Sequence, residues 1–402
     1  MKIGVIGGSI AGLASAILLS RQGNDVTVLE RSSVTLESRG AGIVLPEPLI
    51  QQCIDLDLFD HTIQRVPSTS RSFITQGEHK LWEQPIAVMS LNWADIYRNL
   101  RKRFPDSRYC KGERVLTITI AHQNQGYQVT TQTGTQYTFD YLIGADGIDS
   151  CVRRVLFPVL EPQYSGYVAW RGTVRLSEVK DEALFKGHIP YFVYPNGHIL
   201  LYVIPDSHAC DKEMLLNWVM YDVCKTWTLP DLLTDKTGAQ HPFSIPPGQL
   251  SSKHLAYLKT FAKQALPNTI ANIIGETKQP FLQAVFDFHA PSVLQDHMCL
   301  IGDAAAILRP HTASGVVKAL MDSFSLAKAF KENDLRTWQQ QQATALAQQV
   351  ALSKNMGAAL VTQTPDWNMM TPATMSEWWA AILAGKNWIY THNTSRCEAS
   401  LK

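Results

Sequence analysis

The chain has no excess of either charge. Its 402 residues carry 36 Lys and Arg against 35 Asp and Glu, a net charge of +1 with His neutral. A nucleic-acid binder needs a basic excess or basic clusters, so that class of partner is excluded. The one basic run, Arg98, Arg101, Lys102 and Arg103, reads as the solvated face of a helix. Cysteine is sparse and irregular: seven residues, at 53, 110, 151, 210, 224, 299 and 397, with no C-x-x-C. An odd, scattered set argues against a disulfide framework and against a zinc site. Reduced thiols in the cytoplasm are the simpler expectation. No secretory signal opens the chain. No run reaches the ~18 apolar residues of a membrane span, so stable membrane insertion is not expected. There are no repeats and no low-complexity tracts. What is present is 45% hydrophobic and 18% charged residues, the make-up of a folded protein with a large core. The length suits two domains, or one domain carrying an inserted sheet.

The first thirty residues hold the clearest signal. Ile3 to Ile6 is an apolar run suited to a buried parallel strand. The turn Gly7-Gly8-Ser9-Ile10-Ala11-Gly12 follows, then a helix of small residues over Leu13–Gln22, then a second strand, Asp25–Leu29, ending at Glu30. This is a βαβ unit. Its physics favours a dinucleotide, because a pyrophosphate sits well on the free N–H groups and positive dipole end of a helix. Gly7 permits the tight turn and Gly12 lets helix and strand approach. Ser9 replaces the middle glycine of G-x-G-x-x-G, and its hydroxyl can donate to phosphate. Glu30, 18 residues after Gly12, is placed to accept both hydroxyls of an adenosine ribose. An acid there disfavours a 2′-phosphate, and by itself does not separate NAD from FAD.

Two further motifs decide the cofactor. Asp140-Tyr141-Leu142-Ile143-Gly144-Ala145-Asp146-Gly147 follows a hairpin-like stretch, Tyr127–Phe139. Cys299-Leu300-Ile301-Gly302-Asp303-Ala304-Ala305 is a strand ending in Gly-Asp, and it continues through Arg309-Pro310-His311-Thr312-Ala313-Ser314-Gly315 into a helix over Val316–Lys331. With these three motifs in order, the chain resembles the single-component FAD-dependent aromatic hydroxylases of the para-hydroxybenzoate hydroxylase type. Finer segments resemble the branch that contains 2,6-dihydroxypyridine 3-hydroxylase: Gly166-Tyr167-Val168-Ala169-Trp170-Arg171-Gly172, Asn217-Trp218-Val219-Met220-Tyr221 and Ile245-Pro246-Pro247-Gly248.

The resemblance implies an α/β fold: a Rossmann-like FAD-binding domain, an inserted and mainly antiparallel substrate sheet, and a C-terminal helical segment. The expected boundaries are 1–70, 95–160 and 285–345 for the FAD domain, 71–94 and 161–284 for the substrate domain, and 350–402 for the helical segment. The resemblance assigns the adenosine ribose to Glu30 and the flavin's ribityl-phosphate region to Arg98. Asp146 and Gly147 fall near the pyrophosphate and a transient NADH or NADPH, and Asp303 falls on a ribityl hydroxyl. Pro310 to Val317 would lie along the isoalloxazine, with Gly315 and Val316 offering N–H groups to it. Arg39 and Gly42 belong to a loop over the flavin's other side. Ile10, Arg31 and Val115 complete the expected cofactor contacts. Two departures stand out: Ala306 follows Gly-Asp-Ala-Ala where many relatives have His, and Val317 replaces a common Asn. No second glycine fingerprint and no C-x-x-x-x-C pair occur, so NAD(P)H binds transiently and a disulfide reductase is disfavoured.

Residues 155–290 lack the βαβ rhythm. Tyr167–Arg171, Tyr191–Tyr194 and His198–Val203 read as strands, with a hairpin turn at Pro195-Asn196-Gly197. Lys253–Ala265 and Thr269–Gly275 read as helices. The implied partners are a small aromatic substrate and O2, the implied intermediate a flavin C4a-hydroperoxide. That chemistry asks for an apolar, water-excluding pocket with one or two groups able to move a proton. Tyr202 and His311 are the candidates, each with a purely structural alternative. Trp378, Trp379, Ile382 and Leu383 recur at helical spacing within Thr374–Asn387 and would pack on the FAD domain or on a second copy in a homodimer. Two other readings stay open: a flavin reductase or oxidase acting on a larger terpenoid or polyketide, and a non-catalytic FAD-binding redox sensor.

Overall fold

The computed structural model describes residues 1–37, 41–121, 126–207 and 213–386. A six-stranded sheet runs in the order Leu294–Gln295, Met298–Leu300, Tyr141–Gly144, Lys2–Ile6, Asp25–Glu30, Tyr109–Lys111. Its neighbours are parallel except for the Leu294–Gln295 edge. Lys2–Ile6 is central, and Ile3 and Val5 are fully buried, as a strand covered on both faces requires. The first helix, Ile10–Arg21, is buried almost all round. The sheet lies on one side of it. On the other lies the Gly315–Glu332 helix, whose Ser323 hydroxyl donates to Ala11 O at 3.0 Å.

That first helix begins at Ile10, three residues ahead of the expected start, so Gly12 lies inside its first turn. The reason is steric. A Cβ on Gly12 would stand 1.9 Å from Gly7 O, so the turn and helix close this tightly only with glycine there. Gly7 itself has φ +103°.

The second sheet has ten strands. Its order is Ser244–Ile245, Phe281–His289, Gln163–Arg175, Met214–Asp222, Gly197–Pro205, His188–Tyr194, Val66–Thr75, Lys80–Asn92, Gly42–Leu45, with Ala306–Ile307 paired to the end of Phe281–His289. All its neighbours are antiparallel except His188–Tyr194 against Val66–Thr75. This sheet therefore takes strands from 42–45 and 66–70, ahead of the expected boundary at 71, and from 285–289, past the one at 284. A three-stranded sheet, Val115–Ile120, Tyr127–Thr131 and Gln136–Phe139, stands apart.

Alternation splits the large sheet into two faces. Trp170, Trp218, Met220, Leu201 and Phe192 point to one side, where the Ser252–Ala265 and Asn268–Glu276 helices cover them. Tyr167, Tyr191, Tyr202, Val219 and Tyr221 share the other core. It is closed by Leu352 and Met356 of the 23-residue Leu335–Gly357 helix, by Leu360 and Val361, and by Met375, Trp379, Ile382 and Leu383 of the Pro372–Leu383 helix. The long helix runs across the expected boundary near 345–350. Among the described residues, no helix is long and apolar enough to cross a membrane.

Candidate active site

The glycine turn, the Gly-Ala-Asp-Gly turn and the Gly-Asp turn all end strands at the same edge of the six-stranded sheet, because those strands are parallel neighbours. Crevices at the carboxyl ends of parallel strands are where α/β sheets bind nucleotides. Gly7 N donates to Leu29 O at 2.9 Å, and Ala145 N donates to Ile6 O at 2.8 Å. A Cβ on Gly7 would meet Ala145 O at 2.4 Å, so the first two turns touch.

Glu30 is 5% exposed. Its carboxylate accepts Gly8 N and Ser32 N, each at 2.8 Å. Each oxygen keeps a further lone pair, so the acid is oriented and still able to accept a ribose hydroxyl. Ser9 is the residue before the first helix, and its hydroxyl makes no capping bond to it. First-turn amides have no intrahelical acceptor, which leaves Ile10 and its neighbours suited to an anion. Tyr109 was not singled out in the sequence. Its hydroxyl donates to Gly8 O at 2.9 Å and meets the Tyr97 hydroxyl at 3.3 Å, and burial raises its pKa.

Asp146 accepts Cys151 N at 2.7 Å through Oδ2, while its Oδ1 is buried with no partner. A buried acceptor left bare costs ~1–3 kcal/mol, which a donor on a bound cofactor would recover. Gly147 has φ +74°, and nothing lies within 4 Å of a Cβ built there; the same is true of Gly315. Pro310 and Gly315 are exposed, and Gly315 and Val316 open the helix that ends at Glu332. Asp303 is also exposed, within the Gly302–Ala304 turn. An oriented ribose acceptor, an orphaned Asp146 oxygen, two open glycine positions and a helix N-terminus fit an adenine dinucleotide carrying a flavin.

Other expected contacts stand as follows. Arg98 donates to Glu37 Oε2 at 3.2 Å, Asp95 Oδ1 at 2.5 Å and Ser207 O at 2.8 Å. Arg31 is exposed and pairs with Asp149 at 3.1 Å. Val115 is buried at the start of the three-stranded sheet, opposite Thr131. Gly42 begins its strand, donates from N to Asn217 Oδ1 at 3.2 Å, and lies against Tyr202, whose ring would be 2.5 Å from a Cβ there. Arg39 lies outside the described residues.

The polar groups of the sheet face form a chain. Asp287 accepts both Arg309 Nε, at 2.9 Å, and Arg309 Nη2, at 2.7 Å. Arg309 in turn lies over the Tyr167 ring, 5.7 Å from its centroid, and the Tyr167 hydroxyl meets His311 Nε2 at 2.8 Å. A phenol donating to Nε2 puts the ring hydrogen of His311 on Nδ1, and a phenol accepting from Nε2–H leaves Nδ1 as a lone pair. In either case His311 Nδ1 is buried with no protein partner. For His198 the tautomer is fixed. Its Nδ1 lies 3.2 Å from Leu360 O and must donate, leaving Nε2 as a bare lone pair. The two rings are 5.4 Å apart, with Tyr221 4.3 Å from His311 and 4.8 Å from His198. Burial lowers His198 to about 3 and His311 well below its ordinary value, so both are neutral at pH 7. Tyr202 stands four residues along the strand from His198, about 13 Å away at strand rise, and burial pushes its phenol up to about 12. The structure thus joins His311 to His198 and Tyr167, which the sequence did not single out as site residues, and sets Tyr202 beside Gly42.

Comparison with known proteins places this geometry. Residues 5–35 match the NAD(P)-binding Rossmann-like domain family, and residues 164–287 match the FAD binding domain-like family. The chain is 31% identical over 354 residues to 2,6-dihydroxypyridine 3-monooxygenase of Paenarthrobacter nicotinovorans, covering 85% of this chain and 87% of that protein. It is 23% identical over 359 residues to a salicylate hydroxylase of Pseudomonas putida, covering 84% and 78%. The solved structure of 2,6-dihydroxypyridine-3-hydroxylase from Arthrobacter nicotinovorans superposes with a TM-score of 0.84 at 28% identity, over 92% of this chain and 96% of that one. By that identity and coverage, and with three turns shaped for the cofactor, the chain belongs to the FAD-dependent aromatic monooxygenases.

Proposed function

We propose that the protein hydroxylates a small phenol or hydroxypyridine bound against the sheet face that carries Tyr167, His198 and His311, with FAD held by the three turns. The observation that carries this reading is the pair of neutral, buried imidazoles, each with one ring nitrogen free of a protein partner. An activated ring must lose its hydroxyl proton to become electron-rich. His198 Nε2 offers a lone pair that accepts a hydrogen bond from the bound hydroxyl and orients it, the ring itself staying neutral at pH 7, and His311, donating from Nδ1, stabilises the oxyanion as it develops. The Tyr167 hydroxyl, by donating to His311 Nε2, would hold that tautomer. FAD, when bound, supplies the redox and oxygen chemistry at the expense of NADH or NADPH. The aromatic and aliphatic packing of this face, closed by Met356, Leu360 and Trp379, keeps water from the reacting groups.

Glu30, Ser9, Ile10, Asp146, Gly147, Asp303, Gly315 and Val316 are the proposed FAD contacts, with Arg98 at the ribityl-phosphate region. We assign FAD to the part built on the six-stranded sheet and the substrate to the part built on the ten-stranded sheet, and place the protein in the cytosol. The test is a panel of hydroxylated pyridines and benzoates, scored by NAD(P)H oxidation and by product mass under 18O2. At least one member is expected to speed NAD(P)H oxidation and gain one labelled oxygen. A panel with no acceleration and no labelled product would overturn the reading.

A further inference from the structure

The turn that carries Asp303 is gripped from behind by a buried ion pair. Lys318 and Asp322 stand one helical turn apart on the Gly315–Glu332 helix, their side chains 1% and 4% exposed. Lys318 Nζ donates to Gly302 O at 2.6 Å and to Asp322 Oδ2 at 2.8 Å. The same Oδ2 accepts Gly302 N at 2.9 Å, and Oδ1 accepts Gln342 Nε2 at 2.6 Å. One ion pair therefore holds both backbone polar groups of Gly302, a residue at φ +57°. Stability alone is a poor reason for this arrangement, because a buried ion pair is often no better than well-packed apolar residues. A cation near the first turn also opposes the helix dipole. What the ammonium faces is the turn itself and the next residue, Asp303.

We propose that Lys318, together with Asp322, is a positioning residue of the FAD site, locking the Gly302 turn so that the Asp303 carboxylate is presented to the cofactor. The charged groups around Asp303 are Lys318 and Asp322 from the one helix and Arg153 from the Cys151–Leu156 helix. Lys318 and Arg153 favour its ionised form and Asp322 opposes it, Lys318 more strongly than Asp322. Without Lys318, Asp303 is held less firmly and takes up a proton more readily. The proposal rests on the assignment of this cleft to FAD.

The test uses the double variant Lys318→Met/Asp322→Asn, which leaves no lone charge buried and keeps an acceptor for Gly302 N. FAD affinity is measured by fluorescence titration of the apoprotein from pH 5.5 to 8.5, beside its thermal midpoint. The expected result is a Kd at least tenfold weaker at pH 7. Because Lys318 outweighs Asp322 at Asp303, the acid-side loss of affinity should also set in at higher pH than in the native protein, a shift that a purely structural pair would not produce. A Kd within twofold of the native value across the range overturns the proposal. Should the double variant fail to fold, Asp303→Asn carries the test: its Kd must weaken at least tenfold and lose its pH dependence, and an unchanged Kd overturns the proposal. A native apoprotein that takes up no FAD sinks the cofactor assignment instead.

Discussion

Lowering the pH from 7 to 5 isolates the buried imidazole of His198. In the folded protein this ring is neutral, held there by burial, and titrates only at about 3. In the unfolded chain a histidine titrates near ~6.5. Above that value both states are neutral and the ring contributes nothing to the pH dependence. Below it the unfolded state binds a proton that the folded state refuses, so stability falls as pH falls, by ~1.4 kcal/mol per unit. At pH 5 the loss is about 2 kcal/mol, and it grows to about 5 kcal/mol near pH 3. His198→Asn removes the titrating group and keeps a donor for Leu360 O. Urea unfolding at pH 7 and pH 5 is the assay, for native protein and variant alike. Groups such as Asp222, whose pKa is raised by burial, act in the opposite direction but equally in both proteins. The native protein should lose about 2 kcal/mol more than the variant between the two pH values. Equal losses would show that His198 is not buried as a neutral ring, and the donor–acceptor pairing with His311 would fall with it.

Gly12→Ala puts a Cβ 1.9 Å from Gly7 O, so the helix must shift by more than an ångström. Overpacking of this kind costs ~1–3 kcal/mol, and FAD affinity should fall at least tenfold; native affinity and native thermal midpoint together would refute the steric account. Tyr167→Phe removes the partner of His311 Nε2 and frees its tautomer. The product formed per NAD(P)H oxidised should drop several-fold with FAD affinity unchanged, and unchanged coupling would show that the tyrosine does not position the imidazole.

The N-terminal unit was legible because its constraints are local. Strand, turn, helix and acid lie within residues 3–30, and backbone sterics at Gly7 and Gly12 leave few alternatives. The same holds for the Gly-Asp turn and the helix after it, and for the hairpin at Pro195-Asn196-Gly197, whose Asn196 adopts φ +61°. Apolar spacing points to a C-terminal helix within Thr374–Asn387; it spans Pro372–Leu383, since Thr371 caps its start and Ala384 ends it at φ 47°. Strand alternation marks His198, Leu200 and Tyr202 as one face, but it does not say which of them meets the cofactor loop. Tertiary structure decided that. Tyr167 and His311 are 144 residues apart, and His198 finds its acceptor 162 residues on, at Leu360. Lys318 reads in the chain as one more lysine on an amphipathic helix. Only packing against the Gly302 turn makes it a buried ion, because backbone preference acts over neighbouring residues while desolvation and hydrogen-bond partnership depend on what the whole fold brings together.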